Sequence, residues 1–409
     1  MMRGAASIKK TVSIVLCAFI ISTLSGCWSR IEPKYLAIVN SIIYDIDEEG
    51  KYIIYAEFID ASPSGAGEEG EKGTSSLVVD AKGDSPREAL SDVSLTIERS
   101  VFGGDSKIRF FSERLAKKDI TDTIDYVLRS RVTDETAMIS VIKGEEPQKI
   151  YKASVGLSDT LGNYMETMSN FQPKASSKAV FLTTLDFVRD FYSDGKQPVA
   201  GLVEVVENEF NSSGGGDSGG ESGEEKEYKI ICEGLAAFKD GVLAGYFNGQ
   251  EARAYNFITN QVRNIHITVP SEDGDTVFNI SKSRCSIKTS KEDESIKIDV
   301  KLKIDSRIVS ESSNIEISQP ETLEKLEELF NEKLKNEITG AITRAQKEFE
   351  SDIFGFGEYM HDQNPIEWRE LRDKWDESFS DAQVKVSVES SVVRSGELKR
   401  PFRYEEEDK

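Results

Sequence analysis

Residues 295–304 read SIKIDVKLKI, and their strict alternation decides how the C-terminal part of this chain folds. Successive side chains of a strand point to opposite faces, so Ile296, Ile298, Val300, Leu302 and Ile304 share one face while Lys297, Asp299, Lys301 and Lys303 share the other. One buried and one solvated face is the signature of an antiparallel sheet; strands of a parallel sheet, covered on both sides, read as continuous apolar runs. Upstream, Ile265, Ile267 and Val269 alternate in the same way, and Asp240-Gly241 between two apolar runs predicts a two-residue type I′ hairpin. Downstream, Pro320 opens an amphipathic helix that carries Leu323, Leu326, Phe330, Leu334, Ile338, Ile342 and Ala345 along one side to about Phe349. A second helix is predicted from Asn364-Pro365-Ile366-Glu367, a cap, proline and glutamate arrangement, with Leu371 and Trp375 inward. Val384, Val386 and Val388 form a closing strand. The economical packing is an antiparallel sheet covered on one face by two long helices.

The N-terminal part mixes strand and helix signals. YLAIVNSIIYD (35–45) and KYIIYAEFID (51–60) flank the turn Asp47-Glu48-Glu49-Gly50 and read as two paired strands. Ser85-Pro86-Arg87-Glu88 starts a helix, with Leu90, Val93, Ile97 and Val101 at helical spacing after it. KIRFFS (107–112) and AMISVIK (137–143) read as strands around a helix at 119–131, and residues 158–168 and 182–192 as further helices before the strand PVAGLVEVV (198–206). The whole is a multi-domain α+β chain with mixed and antiparallel sheets. Residues 211–227, NSSGGGDSGGESGEEKE, hold no apolar side chain and cannot join a core, so they read as a flexible loop or linker. That divides the chain into an N-terminal region 27–210 and a C-terminal domain 228–409; the alternative begins the last domain near 260, with 228–259 pairing back onto the N-terminal region.

Residues 1–26 read as a lipoprotein signal peptide. Arg3, Lys9 and Lys10 precede the apolar run VSIVLCAFIISTL (12–24), too short to span a bilayer, and Leu24-Ser25-Gly26-Cys27 completes a lipobox. The predicted chemistry is a diacylglyceryl thioether on Cys27, cleavage before it, and an acyl group on the new amine. Cleavage removes three basic and no acidic residues, taking the formal charge from −22 to −25. So acidic a chain is repelled by phosphate backbones and anionic headgroups, which excludes nucleic-acid binding and leaves the lipid as the membrane anchor. Cys232 and Cys285 remain in the mature chain; they could close one disulfide, or stand as two buried thiols in strands.

No motif assembles a catalytic or cofactor site. Gly216-Asp217-Ser218-Gly219-Gly220 matches the string around a trypsin-like nucleophile, but both histidines, His266 and His361, follow it, and no helix does. His266 alternates with isoleucines on the solvated face of a strand, and His361 falls in the connection YMHDQNP between helices, so neither has metal-ligand spacing. The acidic clusters lack the ligand spacing of a calcium loop.

The order of segments resembles the Ger(x)C family of spore germination lipoproteins. The resemblance lies in Gly26-Cys27-Trp28-Ser29-Arg30-Ile31-Glu32 running into Leu36-Ala37-Ile38-Val39, in the capped helix after Ser85, and in KIRFFSERLAK (107–117). It continues in EGLAAFKDGVLAGYFNGQEARAYNF (233–257) and in FGFGEYMHDQNPIEWRELRDKW (354–375) with the tail that follows. It implies a non-enzymatic subunit of a nutrient germinant receptor, without a cofactor, anchored by lipid on the outer face of the spore inner membrane. The implied partners are a transporter-like multi-spanning subunit and a larger membrane subunit. The alternative reading is a lipid-anchored solute-binding protein that feeds a transporter, with parallel sheets in two lobes around a cleft.

Overall fold

The computed structural model describes residues 12–16, 32, 35–59, 76–130, 133–208, 227–271, 274–293, 295–311 and 319–394. Among them fifteen strands form two sheets. The larger is built on β1 (Leu36–Ile46), which pairs antiparallel with β2 (Tyr52–Ile59), and β2 in turn with β3 (Ser76–Gly83). On its other side β1 lies parallel to the short β4 (Ser100–Phe102) and to β5 (Ile108–Ser112); β6 (Met138–Lys143) continues in parallel. The two-residue β7 (Ala153–Ser154) and β8 (Leu182–Thr183) add to the margins, and β9 (Val199–Glu207) lies parallel to β6. The hairpin β10 (Tyr228–Lys239) and β11 (Val242–Phe247) then extends this sheet, because β10 pairs antiparallel with β9. Asp240 and Gly241 have φ of 51° and 85°, the left-handed pair that a type I′ turn requires.

Helices cover both faces of this sheet, which explains why β1 is almost continuously buried. Ile42, Tyr44, Phe111 and Val141 belong to one apolar cluster, while Ile43, Phe110 and Ile142, one residue out of phase, belong to another. Helix Leu161–Ala175 serves the second cluster through Leu161 and Met165. The helix after Ser85 is shorter than its periodicity predicts. It runs over Pro86–Asp92, tightens to a 3-10 turn at Val93–Leu95, and releases Ile97 to a loop and Val101 to β4. The Ser94 and Thr96 hydroxyls donate to the Ser91 and Val93 carbonyls and compete with the helical pattern there.

The second sheet contains β12 (Ile265–Ser271), β13 (Gly274–Glu292), β14 (Ser295–Glu311) and β15 (Gln383–Arg394), in that order. Ile296, Ile298, Val300, Leu302 and Ile304 of β14 are all buried, as their alternation predicts. The α+β class stands, with one difference inside this sheet: β15 runs parallel to β14, not antiparallel. The connection crosses over through the covering helices, and a crossover returns the chain in the same direction. Helix Pro320–Arg344 buries Leu326, Phe330, Leu334 and Ile338, with the Phe330 ring centroid 4.6 Å from that of Phe278. It ends in a π turn, Ala345–Phe349. The second predicted helix is broken into Pro365–Leu371, a 3-10 turn at Arg372–Lys374, and Trp375–Asp381. Asn364 does not cap it by side chain; its Nδ2 donates to the Thr289 carbonyl of β13 at 2.8 Å instead.

Candidate functional site

The segment after helix Thr184–Phe191 meets the segment after the π turn, and there the two halves of the chain touch. Gly195 and Gly357 approach so closely that a Cβ on Gly195 would lie 2.4 Å from the Gly357 carbonyl carbon. Asp352 sits beside this contact, fully buried. Its Oδ1 accepts the Gly355 N–H at 3.0 Å, its Oδ2 accepts the Gly357 N–H at 2.9 Å and Trp375 Nε1–H at 3.0 Å, and its carbonyl accepts the Gln197 N–H at 2.9 Å. Burial pushes the Asp352 carboxyl up to about 6, against the opposing pull of those hydrogen bonds. The neighbouring Ser351 hydroxyl donates to the Phe238 carbonyl of β10 at 2.8 Å.

Next to this latch opens a cleft of about 640 Å³ with one wall from each half. From the part before residue 260 come Ser177, Asp186, Arg189, Asp190, Lys196, Tyr255 and Asn256; from the last part of the chain come Phe354, Glu358, Tyr359 and Asp362. Helix Thr184–Phe191 presents Asp186 and Asp190 one turn apart, its start fixed by a reciprocal cap between Thr183 and Asp186. Asp190 is 2% exposed at its side chain and is held by Lys196 at 2.8 Å and by Arg189 at 3.0 Å. Burial alone would lower the Lys196 ammonium; the nearby Tyr255, Asp190 and Glu358 outweigh it and raise its pKa above the usual lysine value. Asn256 Nδ2 donates to the Ser177 and Ala179 carbonyls at 2.9 and 3.0 Å, and the Ser193 hydroxyl bridges the walls, donating to Glu358 Oε1 at 2.8 Å.

The residues singled out from sequence lie elsewhere. Cys27, Ser218 and the tract 209–226 are outside the described residues, as is the signal apart from residues 12–16. Cys232 and Cys285 are free and buried in different apolar clusters, and burial pushes each thiol up to about 12. His266 is exposed on β12, as predicted. His361 is not in a connection but in helix Phe356–Gln363, stacked on Trp368 with ring centroids 5.8 Å apart. Among the described residues no three His, Cys, Asp or Glu side chains are placed to hold a metal ion. Sequence reasoning missed the latch and the cleft. Their one local signal is Phe354-Gly355-Phe356-Gly357 directly after Asp352, a glycine pair that permits both a left-handed residue, Gly355 at φ 79°, and a close backbone approach.

The fold is α+β, with two sheets and a buried aspartate where the two halves of the chain meet. The comparisons define its family. Residues 29–205 match the spore germination protein N-terminal domain, and residues 233–396 match the family described as spore germination B3/GerAC like, C-terminal. The chain belongs to the Ger(x)C family of spore germination proteins. It is 22% identical to spore germination protein KC of Bacillus subtilis (strain 168), over 98% of this chain and all of that protein. It is 20% identical to spore germination protein B3 of the same organism, over 92% of this chain and 96% of that one. Among solved structures it resembles the GerBC protein, with a TM-score of 0.53 and 15% identity over 86% of this chain and 96% of that one. The likeness establishes a shared fold.

Proposed function

We propose that this chain is a non-enzymatic, lipid-anchored subunit of a spore germinant receptor, required for nutrient-triggered germination. The observation that carries the reading is the succession of both family domains along the chain, directly behind Gly26-Cys27. In this reading Cys27 bears the diacylglyceryl thioether and an N-acyl group, and two or more acyl chains give a stable anchor where one gives only marginal binding. The anchor is the physical requirement, because a chain of charge −25 has no electrostatic attraction to an anionic leaflet, and among the described residues no helix is long and apolar enough to cross a membrane. The protein would stand on the outer face of the spore inner membrane, beside a transporter-like multi-spanning subunit and a larger membrane subunit. We place the border of its last domain near residue 260, since β11 pairs with β10, β10 with β9, and the second sheet starts at Ile265.

Deletion of the gene in a strain with no redundant receptor, followed by optical-density loss of spores given nutrients, tests the reading. Spores of the deletion strain are expected to stay refractile with the cognate nutrient. Full response to every nutrient would overturn it.

A further inference from the structure

We infer that the cleft between the two halves is a binding site for a small organic amine, and specifically for a diammonium solute. The inference goes beyond the receptor reading and stands on the cleft alone. Its charged lining consists of Asp186, Asp190, Glu358 and Asp362 against Arg189 and Lys196, an excess of two negative charges. The two cations are already engaged: Arg189 bonds Asp186 at 3.1 Å and Asp190 at 3.0 Å, and Lys196 bonds Asp190 at 2.8 Å. The carboxylates outside these ion pairs are Glu358 and Asp362. These stand four residues apart on helix Phe356–Gln363, on the same side of it; Glu358 accepts the Ser193 hydroxyl at 2.8 Å and lies near Lys196, while Lys196 itself is bonded to Asp190. Like charges at that spacing repel one another, and a bound dication removes the repulsion.

An independent observation points to a ligand. Ser177 lines the same cleft, is completely buried, and its hydroxyl has no hydrogen-bond partner among the described residues. A buried hydroxyl without a partner costs free energy, and Ser177 also holds a left-handed φ of 55°, so its placement is constrained by its surroundings. Such an oxygen can accept from an ammonium group. The rings of Tyr255, Phe354 and Tyr359 supply aromatic surface for the apolar carbons and the cationic ends of the solute. A cleft at the junction of two folded parts, with aromatic walls and a few convergent polar groups, is the usual setting for small-molecule recognition. An organic cation suits this lining better than a metal ion, since among the described residues no three carboxylates converge on one point.

Titration calorimetry on the full chain in uncharged detergent micelles, with 1,4-diaminobutane as probe and succinate as charge-reversed control, tests the inference. Saturable binding of the diamine, none of succinate, and an affinity about tenfold weaker in Glu358→Gln/Asp362→Asn are expected, since two exposed charge contacts together contribute about that factor. Absence of saturable diamine binding, equal binding of succinate, or unaltered affinity in the double variant would overturn it. Where the double variant melts at a lower temperature than the parent, Asp362→Asn alone, an exposed position, takes its place, with an expected loss of about threefold.

Discussion

Trp375 Nε1 donates to Asp352 Oδ2 at 3.0 Å in a fully buried contact between the last helix and the segment that follows the π turn. The same carboxylate orders Gly355 and Gly357, and Gly357 is the residue against which Gly195 of the N-terminal half packs. One acidic side chain thus sets the geometry through which the two halves meet. Its burial is tolerated because three donors surround it.

Replacing Asp352 by alanine leaves the Trp375 indole N–H and the two glycine amides without acceptors in a dry site. The expected loss is about 3 kcal/mol of unfolding free energy, at about 1 to 3 kcal/mol for each orphaned group with partial relaxation. Urea denaturation followed by tryptophan fluorescence measures it. A loss below about 1 kcal/mol would show that the donors find other partners.

The same residue gives a pH prediction. The folded-state value of about 6 lies above the ordinary 3.8, so between these values the native state binds more protons than the unfolded state. Stability contributed by this group is therefore present below about pH 4 and lost as pH rises to about 6. Comparison of the parent with Asp352→Asn isolates it: across that window the parent should lose stability relative to the variant by up to about 3 kcal/mol. Parallel unfolding curves at every pH would contradict the assignment.

At the close approach, Gly195→Ala places a methyl 2.4 Å from the Gly357 carbonyl carbon and 2.6 Å from the Glu358 nitrogen, both backbone atoms that no rotamer change can move. A destabilisation of about 1 to 3 kcal/mol is expected from the forced separation. It should be read by thermal unfolding, with Gly340→Ala, where a methyl within helix Pro320–Arg344 meets open space, as the control that loses no stability and gains up to about 1 kcal/mol from helix propensity.

Cys232 and Cys285 should resist iodoacetamide at pH 8 in the folded protein, because burial holds both thiols protonated. After denaturation without reductant both should alkylate, as peptide mass analysis would show. Denatured chains that alkylate only after reduction would mean that the two sulfurs are joined.

Cys27→Ala should abolish incorporation of labelled fatty acid, leave the precursor uncleaved and impair germination. A variant that is processed and anchored like the parent would remove the basis of the lipid-anchor proposal.

Some of this molecule is legible residue by residue. The alternation of Ile296 to Ile304 predicts the buried face of β14, Asp240-Gly241 predicts its turn, and Pro320 and Pro365 mark helix starts, because each is a local consequence of backbone geometry. The proposal of a lipobox at Cys27 rests on an equally local pattern, since a signal peptidase reads a short extended stretch with no fold required. Local pattern fails where contacts between distant residues decide the outcome. The periodicity through Ile97 and Val101 extends a helix that hydroxyl competition and pairing with β1 cut short. The direction of β15 depends on the path of the chain between it and β14, which no periodicity within either strand records. Asp352, Lys196 and Ser177 look like ordinary polar residues in sequence. What makes them a buried latch, an ion pair and an orphaned hydroxyl is the low-polarity surroundings that only the packing of one half against the other creates, and burial is a property of the assembled chain.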